Sequence, residues 1–272
     1  MGADGSRGTG ASEQLVVAVL GLGEAGSALT ADLLDGQATV RAYDPLVPAP
    51  PGSVACSGDA DAVDGADLVV SVNSAHDAPG ALHAGLATLA ANAIWADANT
   101  GSAQLKVDLA AVAAGADRQF VDVALMAPVP GSGLRTPMLA SGSGAERFAS
   151  MLRPLGATIE VVGEHPGLAA TRKLLRSVFY KGMAAAAVEA LAAARHAGQE
   201  EWLRAHLQEE LDRTSAATLD RLVTGTYHHA RRRCEEMRAA SEMLRDLGVA
   251  PHVTDAAAAM LFDIASGKDG GT

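Results

Sequence analysis

The chain has 272 residues, of which 49% are hydrophobic and 3% aromatic, and its formal net charge is −11. This length supports one large domain or two, with cores that need no disulfide framework. The negative charge and the scarcity of aromatic rings argue against nucleic acid or an anionic membrane as a partner. The two cysteines, Cys56 and Cys234, are expected to be reduced thiols rather than a bridge or metal ligands.

The two ends of the chain are excluded from the fold prediction. Residues 1–14 resemble a flexible leader without the apolar core of a signal peptide, and residues 266–272 form a glycine-rich tail that we expect to be flexible. No apolar run is long enough to predict a transmembrane helix. We therefore expect a cytoplasmic protein that contacts no membrane.

Residues 15–164 predict a doubly wound parallel sheet, because short apolar runs alternate with alanine-rich helical stretches. Helices are predicted at Ala25–Leu34, Gln104–Ala114 and Ala145–Leu152. The predicted strands, in chain order, are LVVAVL, ATVRAY, SVAC, DLVVSV, AIWAD, QFVDVAL, PMLAS and TIEVV.

A glycine turn follows the first predicted strand and opens the first helix. Asp44 follows the second strand, 23 positions after Gly21. The dinucleotide pattern expects an acidic residue about 20 positions on, where its carboxylate accepts the ribose hydroxyls. This order predicts a Rossmann domain that binds NAD. NADP is disfavoured, because its 2′-phosphate would be repelled by the Asp44 carboxylate. The alternative is a glycine turn that only packs the helix against the strand. The predicted cofactor residues here are Gly21, Leu22, Gly23, Glu24, Ala25, Gly26 and Asp44.

Polar residues follow the fourth and fifth predicted strands. They are Asn73 and Ser74 after DLVVSV, and Asp97-Ala98-Asn99-Thr100 at the end of AIWAD. Since ligands bind beyond the carboxyl ends of parallel strands, these residues are predicted to face the cofactor cleft. Ordinary turn chemistry explains Asn and Asp at such positions equally well.

Residues 165–265 predict an all-α second domain. Pro166 disfavours helix before it and suits a first helical turn, which places the boundary at Glu164–Gly167. The alanine-rich run Met183–Ala194 permits close approach of a subunit partner or of another helix of the same chain. The helices are predicted at Gly167–Ala197, Glu200–Asp212, Ala216–Leu222, Tyr227–Leu247 and Val253–Ala265.

Two stretches of the second domain carry candidate chemistry. In GLAATRKLLRSVFYKG, Lys173 and Ser177 share a helix face, and apolar neighbours predict partial burial that would suit the lysine to proton transfer. A solvated lysine is the alternative. In the run around HHARRR, we expect a helix face that binds an anion or, alternatively, a solvated face with Arg–Glu pairs. Its members are His229, Arg232, Arg233 and Glu236.

Four motifs in order resemble the β-hydroxyacid dehydrogenase and 6-phosphogluconate dehydrogenase superfamily. They are GLGEAG at 21–26, Asp97–Thr100, the loop from Asp122 through APVPGSG at 127–133, and Gly167 followed by Lys173. The stretch HARRRCEEM is similar to a phosphogluconate-dehydrogenase-like branch. The resemblance implies a Rossmann domain followed by a helical domain through which similar proteins form homodimers.

The resemblance also implies a reaction: hydride transfer between a nicotinamide and a small anionic hydroxy or keto acid. Lys173 would exchange the hydroxyl proton, Asn99 would orient the nicotinamide or substrate, and the Gly131 backbone would hold a carboxylate. Two positions depart from the family, since Ser177 replaces an asparagine and Pro130 a serine. The further candidate substrate residues are Thr100, His229, Arg232 and Glu236.

Two other functions remain open. Relatives of this architecture reduce imines, but these usually replace the helix lysine, so Lys173 argues against that activity. A dinucleotide-binding protein without catalysis is the second alternative. No metal site is expected, since His228 and His229 have no partners at zinc-ligand spacing.

Overall fold

The computed structural model describes residues 14–268, so most of the predicted leader and the last residues of the predicted tail lie outside the described range. The chain divides into two compact units, one up to Leu175 and one from Arg176 onward. The division falls inside helix α6 (Leu168–His196), and the predicted domain boundary lies just before this helix.

The described residues of the first unit form one eight-stranded sheet with the order β3-β2-β1-β4-β5-β6-β7-β8. All eight predicted apolar runs form strands, and continuous runs suit strands that are covered on both faces. The strands are β1 (Val16–Leu20), β2 (Thr39–Tyr43), β3 (Val54–Ala55), β4 (Leu68–Ser71), β5 (Ile94–Asp97), β6 (Gln119–Leu125), β7 (Met138–Ser141) and β8 (Ile159–Gly163).

The sheet is parallel from β3 through β6, but β7 pairs antiparallel with β6, with Leu125 opposite Met138. The predicted doubly wound parallel sheet is therefore confirmed, with one antiparallel pair that the sequence did not predict. A parallel neighbour requires a crossover connection, whereas the described residues 126–137 hold only a short 3₁₀ turn at Gly133–Arg135. The order of strands reverses between β1 and β4, which creates a cleft at their carboxyl ends.

Helices cover both faces of the sheet. Strand β1 sends Val17 and Val19 into one apolar core and Ala18 and Leu20 into the other. The first core is covered by α1 (Glu24–Asp35) and α5 (Ala145–Leu152), and the second by α2 (Asp59–Val63), α3 (Ala78–Leu86) and α4 (Ala103–Gly115).

The second unit is helical. It contains the rest of α6 together with α7 (Glu200–Asp212), α8 (Ala216–Asp246) and α9 (His252–Ala265). Helices α8 and α9 pack together, with the buried Cys234 thiol 3.5 Å from the Ala258 carbonyl oxygen. Within residues 14–268, we find no helix that is long and apolar enough to cross a bilayer.

The predicted break between Leu222 and Tyr227 is wrong, because α8 continues through it and kinks at His229 (φ −120°, ψ 18°). One interior glycine, Gly225, costs a helix only about 1 kcal/mol, which is too little to end it. The Arg233 guanidinium spans the kink and donates to the Thr226 hydroxyl at 2.6 Å.

Glu189 of α6 caps the start of α9, which lacks a side-chain cap of its own. Its carboxylate accepts from the Val253 amide at 2.7 Å, the Thr254 amide at 2.9 Å and the Thr254 hydroxyl at 2.6 Å. Burial raises the pKa of Glu189, but these hydrogen bonds and nearby His252 outweigh it, so the pKa lies below its ordinary value.

We expect Glu189→Gln to lower the free energy of unfolding by about 1 kcal/mol at neutral pH, because the helix terminus loses its anionic cap. Since the folded-state pKa is lowered, this stabilisation is present above the ordinary value of 4.5 and is lost as pH falls through the folded-state value. Thermal denaturation of wild type and variant across pH measures both effects. Glu201→Gln, at an exposed position on α7, is the control. If the difference in free energy of unfolding between wild type and Glu189→Gln does not decrease in acid, Glu189 does not act as the anionic cap of α9.

Candidate functional site

Two of the three glycines in the turn after β1 are required by packing within the chain. A Cβ at Gly26 would lie 1.9 Å from the Gly21 carbonyl oxygen, and one at Gly21 would lie 2.6 Å from the Asn73 amide nitrogen. Gly21 also has φ +98°, which L side chains rarely adopt. Packing of the helix against the strand, which is the alternative to cofactor binding, therefore accounts for the glycines at positions 21 and 26.

Gly23 is different, because a Cβ there would meet nothing within 4 Å. Its φ is −61°, so neither backbone conformation nor neighbouring atoms explain the missing side chain. Gly23 directly precedes α1 and gives that helix no side-chain cap. The arrangement leaves open space in front of a helix N-terminus, which is where a pyrophosphate binds in a dinucleotide fold.

The other residues of the turn have distinct positions. Leu22 is buried in the core, whereas Glu24 is exposed and Ala25 is half-buried in the first turn of α1. The Ser27 hydroxyl donates to the Leu22 carbonyl at 2.6 Å and closes the turn. The side chain of Leu22 thus anchors the turn, while the exposed positions border the open space.

Asp44 follows β2 and binds the glycine turn through its carboxylate. One oxygen accepts from the Leu22 amide at 2.7 Å, and the other accepts from the amides of Leu46 (2.8 Å) and Val47 (3.0 Å). Burial raises the pKa of the Asp44 carboxyl, but these three amides outweigh burial and lower it. The carboxylate is therefore ionised at neutral pH and stands beside the turn, as the dinucleotide pattern predicts.

A cavity of about 350 Å³ opens at the carboxyl ends of β1, β2 and β4. Burial raises the pKa of Asp59 in its wall, and repulsion from Asp77 raises it further. Asn73 also lines the cavity, and Ser74 next to it donates from its hydroxyl to Asp77 at 2.6 Å. The lining is completed by Gly21, Tyr43, Pro45, His76, Gly80 and Ala81.

Lys173 and Thr100 are brought together at the carboxyl end of β5, since the lysine Nζ donates to the Thr100 hydroxyl at 2.8 Å. Asn99 lies in the same small depression and donates from its amide to the Ser71 hydroxyl at 3.1 Å. The Ser71 hydroxyl in turn lies 3.3 Å from the Asn73 amide oxygen. A hydrogen-bonded path therefore joins the lysine depression to the cavity beside the glycine turn.

The predicted apolar environment of the lysine is only partly present in the single chain. Lys173 itself is half-buried, but on the same helix Leu175 is 66% and Val178 is 75% exposed. Ser177 lies one turn after Lys173 on α6 and is half-buried. Part of the apolar pattern around Lys173 is therefore exposed helix surface.

The remaining predicted substrate residues lie elsewhere in their units. Pro130 and Gly131 are exposed in the connection before β7, and neither is among the described residues that line the lysine depression. His229 forms the kink of α8, and Arg232 lies 3.6 Å from Glu236 in an exposed pair. That pair fits the solvated-face alternative, and the substrate roles of these residues remain predictions.

One buried charged residue of this region, Lys106, is not indicated by any motif in the sequence. Lys106 of α4 is fully buried, and its Nζ donates to the Asp97 carboxylate at 2.9 Å. The signal available in the sequence was a lysine within an otherwise apolar face of a predicted helix. Among residues 14–268, no three His, Cys, Asp or Glu side chains are grouped to hold a metal ion.

Sequence comparison finds similarity over parts of the chain. Residues 194–264 match a domain of unknown function, DUF1932. An uncharacterized 28.5 kDa protein in the 7S RNA 5′ region of Methanothermus fervidus is 31% identical over 121 residues, which are 44% of this chain and 47% of that protein. The match thus spans about half the length of this curated relative.

Solved structures share the fold over nearly the whole chain. An imine reductase from Myxococcus stipitatus, as a V8 variant in complex with NAD⁺, is 21% identical with a TM-score of 0.79 over 94% of this chain and 96% of that chain. The imine reductase from Myxococcus stipitatus in complex with NADP⁺ is 19% identical, with a TM-score of 0.77 over 94% of this chain and 96% of that chain. A conserved protein of unknown function with structural similarity to 3-hydroxyacid dehydrogenases is 27% identical, with a TM-score of 0.59 over 93% and 98%.

Proposed function

We propose that this chain is an NAD(P)-dependent oxidoreductase acting on a small hydroxy or keto acid, and its likeness to imine reductases and to a protein similar to 3-hydroxyacid dehydrogenases supports the proposal. The observation that carries the proposal is the Lys173 amine on the Thr100 hydroxyl, beside Asn99. Asn99 connects through Ser71 to the cavity next to the glycine turn.

The residues of the first unit fit a dinucleotide. Gly23 leaves space for the pyrophosphate before α1, and the cavity lined by Tyr43 and Asn73 offers room for the adenosine part. NAD is favoured over NADP, because the ionised Asp44 and the Asp59–Asp77 pair would repel a 2′-phosphate. When bound, the nicotinamide accepts or supplies the hydride.

The proton is the part of the reaction that this chain would handle. In ketone reduction the Lys173 ammonium donates a proton to the substrate oxygen, and in alcohol oxidation the neutral amine removes it. The Thr100 hydroxyl holds the amine in place before substrate binds, at 2.8 Å. Asn99 orients the reacting groups through an amide that Asp97 and Ser71 fix.

The cofactor role of the turn is tested by two glycine variants. Gly23→Ala is expected to keep the melting temperature but to raise the NADH dissociation constant at least about tenfold, because the methyl group occupies the space of the pyrophosphate. Gly26→Ala is expected to destabilise the fold, since its Cβ would lie 1.9 Å from the Gly21 carbonyl oxygen. Fluorescence titration should also show tighter binding of NADH than of NADPH to wild type. Unchanged NADH affinity in a folded Gly23→Ala contradicts the assignment.

The proton role of Lys173 is tested by Lys173→Ala, which we expect to lower kcat at least about 100-fold while NADH affinity changes less than about threefold. Lys181→Ala, two turns further along α6, is the control and is expected to keep wild-type kcat. The assay uses short hydroxy and keto acids together with cyclic imines. Near-normal kcat in Lys173→Ala contradicts the assigned role.

The substrate panel also separates the alternative functions. Imine reduction is the second candidate, because imine reductases share this fold at a TM-score of 0.79. Turnover of cyclic imines alone would assign that activity. Tight NADH binding without turnover of any compound would assign a non-catalytic dinucleotide-binding protein.

We also propose a homodimer formed through the helical unit. Val188 is 71% and Trp202 63% exposed, and a cavity of about 550 Å³ opens between α6, α7, α8 and α9. Apolar surfaces of this kind mark protein contacts. Light scattering is expected to give twice the chain mass of 27.5 kDa, and Val188→Asp to shift the mass toward the monomer. A wild-type monomer at high concentration contradicts the dimer.

A further inference from the structure

Lys106 is a fully buried lysine that the proposed reaction does not use. Lysines are almost never fully buried unless they are paired. Its Nζ donates to the Asp97 carbonyl oxygen at 2.8 Å and to the Asp97 carboxylate at 2.9 Å, and it lies 3.6 Å from the Asp122 carboxylate. One ammonium therefore faces two buried carboxylates.

The first carboxylate fixes the loop that carries the candidate polar residues. Asp97 accepts from the Asn99 backbone amide at 3.2 Å and also from the Asn99 side-chain amide. Thr100, the next residue, accepts the hydrogen bond from Lys173. A displacement of Asp97 would move both the Asn99 amide and the acceptor of the lysine.

The second carboxylate fixes the helix that carries the lysine. One oxygen of Asp122 accepts from the Gly167 amide at 3.1 Å and the Ala170 amide at 2.9 Å. These N–H groups belong to the start of α6, where a helix has no internal acceptors for them. Asp122 therefore caps α6 from the sheet, one turn before Lys173.

Lys106 is the cation that these two anchors share. The other oxygen of Asp122 has no hydrogen-bond partner among the described residues, and the Lys106 ammonium lies 3.6 Å from it. Without the ammonium, two buried carboxylates would face each other with uncompensated charge, which strongly disfavours the present arrangement. The Lys106 ammonium thus links the anchor of the Asn99 loop to the anchor of α6.

We propose that Lys106 is a positioning residue that sets the place of the Lys173 amine relative to Thr100 and Asn99. It acts through Asp97 on the loop and through Asp122 on α6. The expected effect of Lys106 on kcat rests on the proposed function. The expected effect of Lys106 on the position of the Lys173 amine is independent of that function.

The test replaces Lys106 by methionine, which has similar length and no charge. In the full chain, Lys173 is labelled with an amine-reactive reagent and the rate is measured by mass spectrometry, with Lys181 of the same molecule as the reference. Release of the amine from Thr100 is expected to raise the relative rate at least about threefold. With a turned-over substrate, kcat is expected to fall at least about tenfold while the NADH dissociation constant changes less than about threefold.

Arg118→Met is the matched control, because it also replaces a cation by methionine and Arg118 directly precedes β6, the strand that carries Asp122. Arg118 is half-buried and donates to the carbonyl oxygens of Leu89 and Ala116 rather than to carboxylates. We expect it to lower the melting temperature without changing the relative labelling of Lys173. Labelling in Lys106→Met that stays at the wild-type and Arg118→Met rate overturns the proposal.

A second variant covers a failure of Lys106→Met to fold. In Lys106→Met/Asp122→Asn one of the two carboxylates becomes an amide, so the repulsion is removed while an acceptor oxygen for α6 remains. This chain is expected to fold and, because it still lacks the Lys106 ammonium that links the two anchors, to label Lys173 faster than wild type. Wild-type labelling in it overturns the proposal. The labelling rate decides the positioning role by itself, including in a chain that turns over no tested substrate.

Discussion

The carboxylates of Asp97 and Asp122 are in register on neighbouring strands, and the Lys106 ammonium lies within 3.6 Å of both. Burying three charged groups is costly, and such a cluster persists only where hydrogen bonds satisfy its atoms. Here the hydrogen bonds come from the Asn99 loop and from the start of α6. The two elements that form the candidate site are therefore held by one buried ionic contact, and the sheet supplies the rigid frame.

The glycine turn shows how packing and ligand space can be separated position by position. Gly21 and Gly26 are required because neighbouring backbone atoms leave no room for a Cβ. A Cβ at Gly23 would meet no atom within 4 Å, so packing within the described residues does not require a glycine there. A motif of three glycines thus contains two positions that packing requires and one that packing leaves open.

Much of the fold follows from local sequence pattern, and the exceptions have tertiary causes. Continuous apolar runs predict every strand, because strands buried on both faces need no alternation. The reversal of β7 was missed, since an apolar run does not record its direction. The continuity of α8 through Gly225 was missed because one glycine is a weak helix breaker, whereas the kink lies at His229.

The candidate site was predictable where it lies at strand ends. Asn73 and Asn99 follow β4 and β5, and the rule that ligands bind beyond parallel strands selects them. The contact between Lys173 and Thr100 joins residues far apart in the chain, so only the superfamily resemblance brought them together. Lys106 was not selected because a single lysine in a helix is normally solvated, and its two partners come from different strands.

The antiparallel pairing of β7 determines how α6 is attached to the sheet. Ser141 lies opposite Asp122, and its hydroxyl both donates to that carboxylate and accepts from the Ala169 amide. Because side chains alternate between faces, a slip of β7 by a single residue would turn this hydroxyl to the far side of the sheet. An insertion or deletion in the connection before β7 that shifts this register would therefore remove the Ser141 hydroxyl from the start of α6. The altered residues would lie in neither β7 nor α6.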